Sequence, residues 1–217
     1  YWTPIKDLIS HCQGRSVLVP TDEARAVGFE QTLARYSTER TRAIYYNTPQ
    51  NPSGVVFTPD EAKAVAAFAQ DRDLVVVADE AYEDLVYDGE HCSIASLDGM
   101  FERTITCFTF SKSYAMTGWR LGYAVATEPW MTGLKKATLY SSNGVSTPTQ
   151  WAGVAALSID PSTLAEITNQ YRLRRDLLLK RLNEIGLHCE SPSGAFYSFP
   201  DASRKTRVGG RGARRPR

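Results

Sequence analysis

The chain has 217 residues, of which 42% are hydrophobic and 23% are charged, an ordinary balance for a soluble globular protein. No apolar run approaches the ~20 residues needed to span a bilayer and no signal peptide heads the chain, so we expect a cytoplasmic protein with no membrane partner. The net charge of +1 conceals an uneven distribution, because residues 204–217 carry six arginines and one lysine. The rest of the chain has 18 basic against 24 acidic residues. An acidic excess of this kind disfavours nucleic acid as a partner.

Apolar runs of strand length alternate along the chain with patterns of helical length. Several of the runs are continuously apolar, as expected when both faces of a parallel sheet are covered. The alternation predicts an α/β fold with a mainly parallel sheet covered by helices. The predicted strands are residues 16–20, 42–47, 74–79, 104–110, 122–127 and 194–199.

Helical patterns lie between and after these strands. Residues 58–73 begin with Thr58, Pro59 and Glu61, a capping box with a proline in the first turn. The last predicted helix is long and amphipathic and is followed by a glycine, which is typical of a helix end. The other predicted helices are residues 129–140, 147–158 and 161–185.

The four cysteines and three histidines are scattered along the chain. There is no CxxC pair, and no histidine lies at metal-ligand spacing from a cysteine. We therefore expect reduced thiols and no metal site.

Three groups of polar residues follow predicted strands, and open parallel sheets bind ligands beyond the carboxyl ends of their strands. The first group is NTPQNPSG, residues 47–54, an irregular loop in which Asn51 precedes Pro52. A cis peptide bond is possible there. Taken alone, a tight turn would explain this loop.

The second group is VVVADEAYEDL, residues 75–85, in which Asp79 ends an apolar run. A buried carboxylate needs a partner cation or several hydrogen-bond donors. Capping a following helix is an equally good interpretation of Asp79. Glu80 is interpreted as a charge at a helix N-terminus that faces water.

The third group is SKSYAMTGWRLGY, residues 111–123. Lys112 leaves a buried strand, where desolvation favours the neutral amine that Schiff-base chemistry requires. Arg120 and the hydroxyls of Thr109 and Ser111 are suited to surround a phosphate. Alone, Lys112 would more often be a surface charge, but three such sites in order on one sheet favour a chemical role.

Together, the three motifs resemble those of the class I/II branch of the fold type I aminotransferases, which depend on pyridoxal phosphate. NTPQNPSG is similar to the asparagine loop of that family, VADEAY to its aspartate–tyrosine strand end, and SKSYAMTGWRLGY to its cofactor-lysine motif. Their order and spacing match from residue 1 to about residue 199. The resemblance implies a large domain with a mainly parallel, seven-stranded type of sheet covered by helices, and an incomplete small C-terminal domain.

The resemblance also implies a role for each matching residue. Lys112 would form a Schiff base with pyridoxal 5′-phosphate and later move the α-proton of the substrate. Asp79 would pair with the protonated pyridine nitrogen, and Asn51 and Tyr82 would donate hydrogen bonds to the 3-oxygen of the ring. The phosphate would be held by Thr109, Ser111 and Arg120, and the ring face would stack on Trp2.

The reaction implied by the resemblance is transamination between an amino acid and a 2-oxo acid, through a pyridoxamine intermediate, in a homodimer. Two alternatives remain open: a lyase or synthase that acts on amino acids with the same cofactor, and a catalytically inactive fragment that binds the cofactor. A serine hydrolase using Ser111 with Lys112 is disfavoured, because GxSxG is absent and the serine position of SxxK holds Thr109.

Three regions are expected along the chain. Residues 1–160 would form the cofactor-binding large domain, residues 161–202 a connecting helix and the start of the small domain, and residues 203–217 a basic, disordered tail. By the family pattern, we expect a chain that is shortened at both ends. The glycine/serine/threonine turn before Trp2 and the arginine that binds the substrate carboxylate have no counterpart.

Overall fold

The computed structural model of the chain describes residues 2–203, so the predicted tail lies outside the described residues apart from Ser203. A four-stranded sheet lies at the centre, in the order β1-β2-β3-β4. The first three strands run parallel, and β4 runs antiparallel to β3. The α/β class with a mainly parallel sheet is therefore confirmed. The strands are β1 (Ala43–Asn47), β2 (Val75–Asp79), β3 (Thr104–Thr109) and β4 (Gly122–Val125).

Seven α-helices occur among the described residues, and the sequence predicts the last four. Helix α7 is long, as expected, but it buries none of its residues. No described helix is both long enough and apolar enough to cross a membrane. The helices are α1 (Pro4–His11), α2 (Thr21–Val27), α3 (Phe29–Tyr36), α4 (Pro59–Asp71), α5 (Glu128–Ser141), α6 (Thr147–Leu157) and α7 (Pro161–Glu184).

Helix α4 begins with the predicted capping box. The amide of Glu61 donates to the hydroxyl of Thr58 at 3.2 Å, and the amide of Thr58 donates to the carboxylate of Glu61 at 2.9 Å. Such a cap satisfies backbone donors that the first helical turn leaves unpaired. The cap therefore stabilises the first turn of α4.

The main core lies between α4 and one face of the sheet. Val76 and Ala78 of β2 are fully buried on that face, and Tyr46 of β1 packs beside them. Because side chains alternate along a strand, Tyr45 and Asp79 lie on the opposite face. The face away from α4 is thus where polar strand-end residues collect. Helix α4 contributes Ala62, Val65, Ala66, Phe68 and Ala69 to the core.

Two predicted strands are wrong. Residues 16–20 have no strand partner among the described residues, and Val17 and Leu18 stay half exposed, at 50% and 48%. Residues 194–199 form only an isolated antiparallel bridge, between Val86 and Gly194. Ala195 has a φ of 57°, a left-handed conformation that turns the chain out of an extended path. An apolar run becomes a strand only where a neighbour completes its hydrogen bonds.

Candidate active site

The three polar motifs leave the sheet at one edge. Strands β1, β2 and β3 run parallel, so their carboxyl ends, at Asn47, Asp79 and Thr109, lie on the same side. Asn47 and Asp79 are register partners, and Asp79 pairs on its other side with Cys107. Open parallel sheets bind ligands at this edge. The fold therefore brings together the loops that the sequence singled out.

The carboxylate of Asp79 accepts two hydrogen bonds. The hydroxyl of Tyr45 donates to Oδ2, and the amide of Ala81 donates to Oδ1 at 3.3 Å. The side-chain amide of Asn47 donates to the backbone carbonyl of Asp79 at 3.0 Å. Burial, and then the neighbouring carboxylate, raise the pKa of Tyr45, so its phenol remains the donor. Residues 81–84 form a turn, so Asp79 caps no helix.

Glu80 corrects a prediction, because its side chain is fully buried rather than facing water. Its carboxylate accepts a hydrogen bond from the hydroxyl of Ser93 at 2.8 Å and lies 2.8 Å from Nε2 of His91. The alternation along β2 continues through this position, so Glu80 points to the α4 side while Asp79 points away. The interpretation as a helix-terminal charge was wrong because no helix begins there.

Asn51 and Tyr82 converge on a third residue, Tyr197. The amide Nδ2 of Asn51 donates to the hydroxyl of Tyr197 at 3.1 Å, and the hydroxyl of Tyr82 lies 2.5 Å from the same oxygen. Tyr82 is 3% exposed, and burial, followed by its contact with Tyr197, raises its pKa. Two polar groups from different strand ends thus meet at one aromatic oxygen.

The amine of Lys112 lies against aromatic rings. Its Nζ is 5.6 Å from the ring centroid of Tyr82 and 5.2 Å from that of Phe196, within cation–π range. The side chain is half buried, and among residues 2–203 it forms no ion pair with a carboxylate. The amine of Lys112 therefore lies beside the ring of Tyr82, whose hydroxyl contacts Tyr197.

The predicted phosphate ligands are only partly brought together. The hydroxyl of Thr109 accepts a hydrogen bond from the amide of Ser111 at 3.1 Å and donates to the carbonyl of Leu121 at 3.3 Å. Ser111 is 7% exposed. Arg120 has a φ of 55° and is exposed, and its guanidinium donates to the carbonyl of Thr117 at 2.9 Å. Its charged group is thus bound to a local carbonyl rather than to Thr109 or Ser111.

Trp2 is not brought to this cluster. It precedes α1 and is 44% exposed. Among the described residues its indole makes no ring contact with Tyr82 or Tyr197. The stacking role expected for Trp2 therefore stays a prediction.

Tyr45 and Tyr197 are site residues that the sequence reasoning missed. Tyr45 lies two positions before Asn47 in β1, and that spacing alone places both on the face of Asp79. Tyr197 lies in residues 194–199, whose apolar pattern predicts only a strand. Its distance of 146 positions from Asn51 left no local signal of their contact.

The sequence of the chain matches that of a known protein family. The family described as aminotransferase class I and II matches residues 1–209, nearly the whole chain. The chain belongs to the class I and II aminotransferases. Membership confirms the resemblance that the three motifs indicated.

Several relatives and solved structures support this aminotransferase assignment. The aromatic-amino-acid aminotransferase 2 of Thermococcus litoralis is 46% identical over 191 residues, which cover 86% of this chain and 49% of that protein. The aspartate aminotransferase of Pyrococcus abyssi is 44% identical, with the same two coverages of 86% and 49%. The chain thus spans about half the length of the curated relatives it matches.

Solved aminotransferases share the fold. The aspartate aminotransferase of Thermus thermophilus with maleate aligns with a TM-score of 0.85 at 34% identity, covering 94% of this chain and 54% of that one. The aromatic aminotransferase of Pyrococcus horikoshii aligns with a TM-score of 0.74 at 45% identity, covering 78% of this chain and 46% of that one. The sheet and helices described above are therefore those of an aminotransferase.

Proposed function

We propose that this chain is the cofactor-binding part of an aminotransferase that moves an amino group between an amino acid and a 2-oxo acid with pyridoxal 5′-phosphate. Family membership and the relatives, which are named aromatic-amino-acid and aspartate aminotransferases, support this reaction class. One observation carries the proposal for the chain itself. Asn51 and Tyr82 direct their polar groups at one aromatic oxygen, close to the amine of Lys112.

The polar groups at this point fit the hydroxypyridine ring of the cofactor. The phenol oxygen of Tyr197, which accepts from Asn51, stands in for an oxygen attached to an aromatic ring. An ionised ring oxygen accepts such bonds strongly, because hydrogen bonds to charged groups contribute about 1.5–3 kcal/mol. Asn51 and Tyr82 would therefore bind the 3-oxygen of the ring.

Asp79 offers a carboxylate to a protonated ring nitrogen. Its two oxygens accept hydrogen bonds at the sheet edge, one from the hydroxyl of Tyr45 and one from the backbone amide of Ala81. A carboxylate ~4 Å from a cation stabilises the charge by about 4 kcal/mol at an effective dielectric constant near 20. That free energy equals about 3 pKa units, before the desolvation of Asp79 is subtracted. A protonated ring supplies the electron sink that transamination needs.

Lys112 supplies the amine. Its Nζ rests over the faces of Tyr82 and Phe196, where no described carboxylate engages it. An amine in this state is available to bind the cofactor covalently and to move the proton of the substrate α-carbon. Lys112, Asn51 and Tyr82 would thus all bind the same cofactor molecule.

Thr109, Ser111 and Arg120 would hold the phosphate, and Trp2 would stack on the ring. Ser111 and Thr109 already lie side by side. Arg120 would have to exchange its bond to the carbonyl of Thr117 for a phosphate oxygen. A guanidinium suits this role because its planar fork matches phosphate geometry.

The proposal extends to the organisation of the protein. Residues 1–160 would form the large domain and residues 161–202 the start of the small one.

All four cysteines are free thiols, which suits a reducing compartment such as the cytoplasm. We also propose a homodimer, in which the large exposed apolar side chains of α5 and α6 would face a second copy. They include Leu139, Tyr140, Trp151 and Leu157.

The reaction is tested by adding pyridoxal phosphate to the purified chain and then amino acids. Phenylalanine and aspartate are the first donors to use, because the relatives are named for aromatic amino acids and aspartate. We expect a near-violet absorption band that each active donor converts to the pyridoxamine spectrum. No spectral change with any amino acid would contradict transamination and favour a chain that only binds the cofactor.

A further inference from the structure

Strand β1 holds Asp79 through two residues of one face. Asn47, its register partner, donates to the backbone carbonyl of Asp79 at 3.0 Å. Tyr45, two positions earlier on the same face, donates through its hydroxyl to Oδ2 of Asp79. One contact fixes the main chain of the aspartate and the other fixes its side chain.

The hydroxyl of Tyr45 acts as a donor in this contact. Burial disfavours the ionised phenolate, and the neighbouring carboxylate of Asp79 adds to that effect, so the pKa of Tyr45 is raised above its ordinary value. Since an ionised carboxylate has no proton to give, Tyr45 must be the donor whenever Asp79 is charged.

The second oxygen of Asp79 has a weaker partner. The amide of Ala81 reaches Oδ1 at 3.3 Å, which is long for a hydrogen bond from an amide. A carboxylate held at Oδ1 alone is free to rotate about the bond between its Cβ and Cγ. The direction in which the charge of Asp79 points is thus set mainly by Tyr45.

We propose that Tyr45 is a positioning residue, which orients the carboxylate of Asp79 toward the ring nitrogen of the cofactor. The inference rests on the proposed function for the cofactor, but the hydrogen bond itself belongs to this chain alone. Tyr45 does not contact the reacting atoms and acts only through Asp79.

The neighbouring tyrosine of β1 provides a matched control. Tyr46 is 2% exposed and points to the α4 side, and its hydroxyl has no hydrogen-bond partner among the described residues. Tyr45→Phe and Tyr46→Phe therefore remove the same atom from adjacent positions of one strand. Only the first removes a bond to Asp79.

The first measurement uses the chain without cofactor, labelled with ¹³C at its aspartate carboxyl groups. The resonance that disappears in Asp79→Asn identifies Asp79. We expect Tyr45→Phe to shift this resonance and Tyr46→Phe to leave it in place. An unchanged resonance in Tyr45→Phe would overturn the proposal, whether or not the chain binds pyridoxal phosphate.

The second measurement is the affinity for pyridoxal phosphate in a double-mutant cycle. Tyr45→Phe is expected to weaken binding by ~5- to 10-fold, the size of one hydrogen bond, and Tyr46→Phe by much less. In an Asp79→Ala background, where residue 79 offers Tyr45 no side-chain acceptor, Tyr45→Phe should have almost no further effect. An equal loss in both backgrounds would show that Tyr45 acts independently of Asp79 and would overturn the inference. Failure of the unaltered chain to bind would instead count against the proposed function.

Discussion

The side-chain amide of Asn51 donates a hydrogen bond to the hydroxyl of Tyr197, 3.1 Å away and 146 positions later in the chain. Tyr82 reaches the same oxygen from the turn after β2, at 2.5 Å. The loop after β1, the turn after β2 and the segment around Tyr197 therefore meet at one atom. Their meeting point is the feature from which the cofactor site is inferred.

Removing the hydroxyl of Tyr82 should weaken the affinity for pyridoxal phosphate. Tyr82→Phe removes one donor to an ionised oxygen, a bond of about 1.5–3 kcal/mol, so we expect a loss of about 10- to 150-fold. The dissociation constant is measured by absorption titration. Tyr36→Phe is the control, because that phenol donates to Glu23 at 2.8 Å, outside the cluster. Equal affinities of the two variants would contradict a role for Tyr82.

Gly54 should not tolerate a side chain. Its φ is +71°, and a Cβ there would lie 2.8 Å from the carbonyl oxygen of Gly194 and would also meet the side chain of Pro192. Gly186 has nearly the same φ, +73°, with nothing within 4 Å. Gly186→Ala should therefore cost only the left-handed conformation, roughly 1–2 kcal/mol.

Gly54→Ala should lower the free energy of unfolding by more than Gly186→Ala, because it adds the steric clash to the same backbone cost. Urea denaturation of both variants measures the difference. Equal losses would mean that the loop of residues 47–54 can move away from Gly194. That result would contradict the close approach of the two segments.

The buried pair of Glu80 and His91 should contribute to stability. His91→Ala removes a partner 2.8 Å from a fully buried carboxylate and leaves Ser93 as its remaining side-chain donor. The expected loss is about 1.5–3 kcal/mol in the free energy of unfolding, the range for a hydrogen bond to a charged group. His188→Ala, at an isolated bridge near the end of the described chain, is the comparison. A loss no larger than that of His188→Ala would contradict the pairing.

Glu83 should make the protein less stable as the pH rises. Burial raises the pKa of Glu83 to about 8, from an ordinary value of 4.5, and one carboxylate oxygen has no partner among the described residues. Between these two values the folded chain binds more protons than the unfolded chain, so the free energy of unfolding falls as the pH increases.

Glu83→Gln removes this titration. Its stability relative to the unaltered chain should therefore increase from pH 5 to pH 8, as measured by denaturation at each pH. Glu90→Gln, at an exposed position, is the control variant. A constant difference between Glu83→Gln and the unaltered chain across this range would contradict the raised pKa.

Much of the fold could be predicted because its signals are local. Strands β1 to β4 are apolar runs, and α4 carries its capping box within four residues. Residues 16–20 have the same apolar character, but a strand also needs a neighbour, and composition does not supply one. Helices α1 to α3 span only seven or eight residues each, too short for a clear helical period.

For the candidate site, the sequence could predict which strand ends carry the three motifs, but not the contacts between distant residues. The loop that holds Asn51, the strand end at Asp79 and the segment that holds Lys112 do lie at one edge of the sheet, because parallel strands put their carboxyl ends together. The contacts of Tyr45 and Tyr197 join residues 34 and 146 positions apart, and no periodicity encodes such pairs. The burial of Glu80 was recoverable in principle, since alternation along β2 places it opposite Asp79.

The residue to which the cofactor becomes attached can be located by chemical labelling. The chain is incubated with pyridoxal phosphate, reduced with borohydride, digested and mapped by mass spectrometry. We predict that the phosphopyridoxyl group lies on Lys112 and that Lys112→Ala carries none, whereas Lys63→Ala, at an exposed lysine paired with Asp60, is labelled normally at Lys112. A label spread over exposed lysines, or one that persists in Lys112→Ala, would contradict the assignment of Lys112 as the cofactor-binding amine.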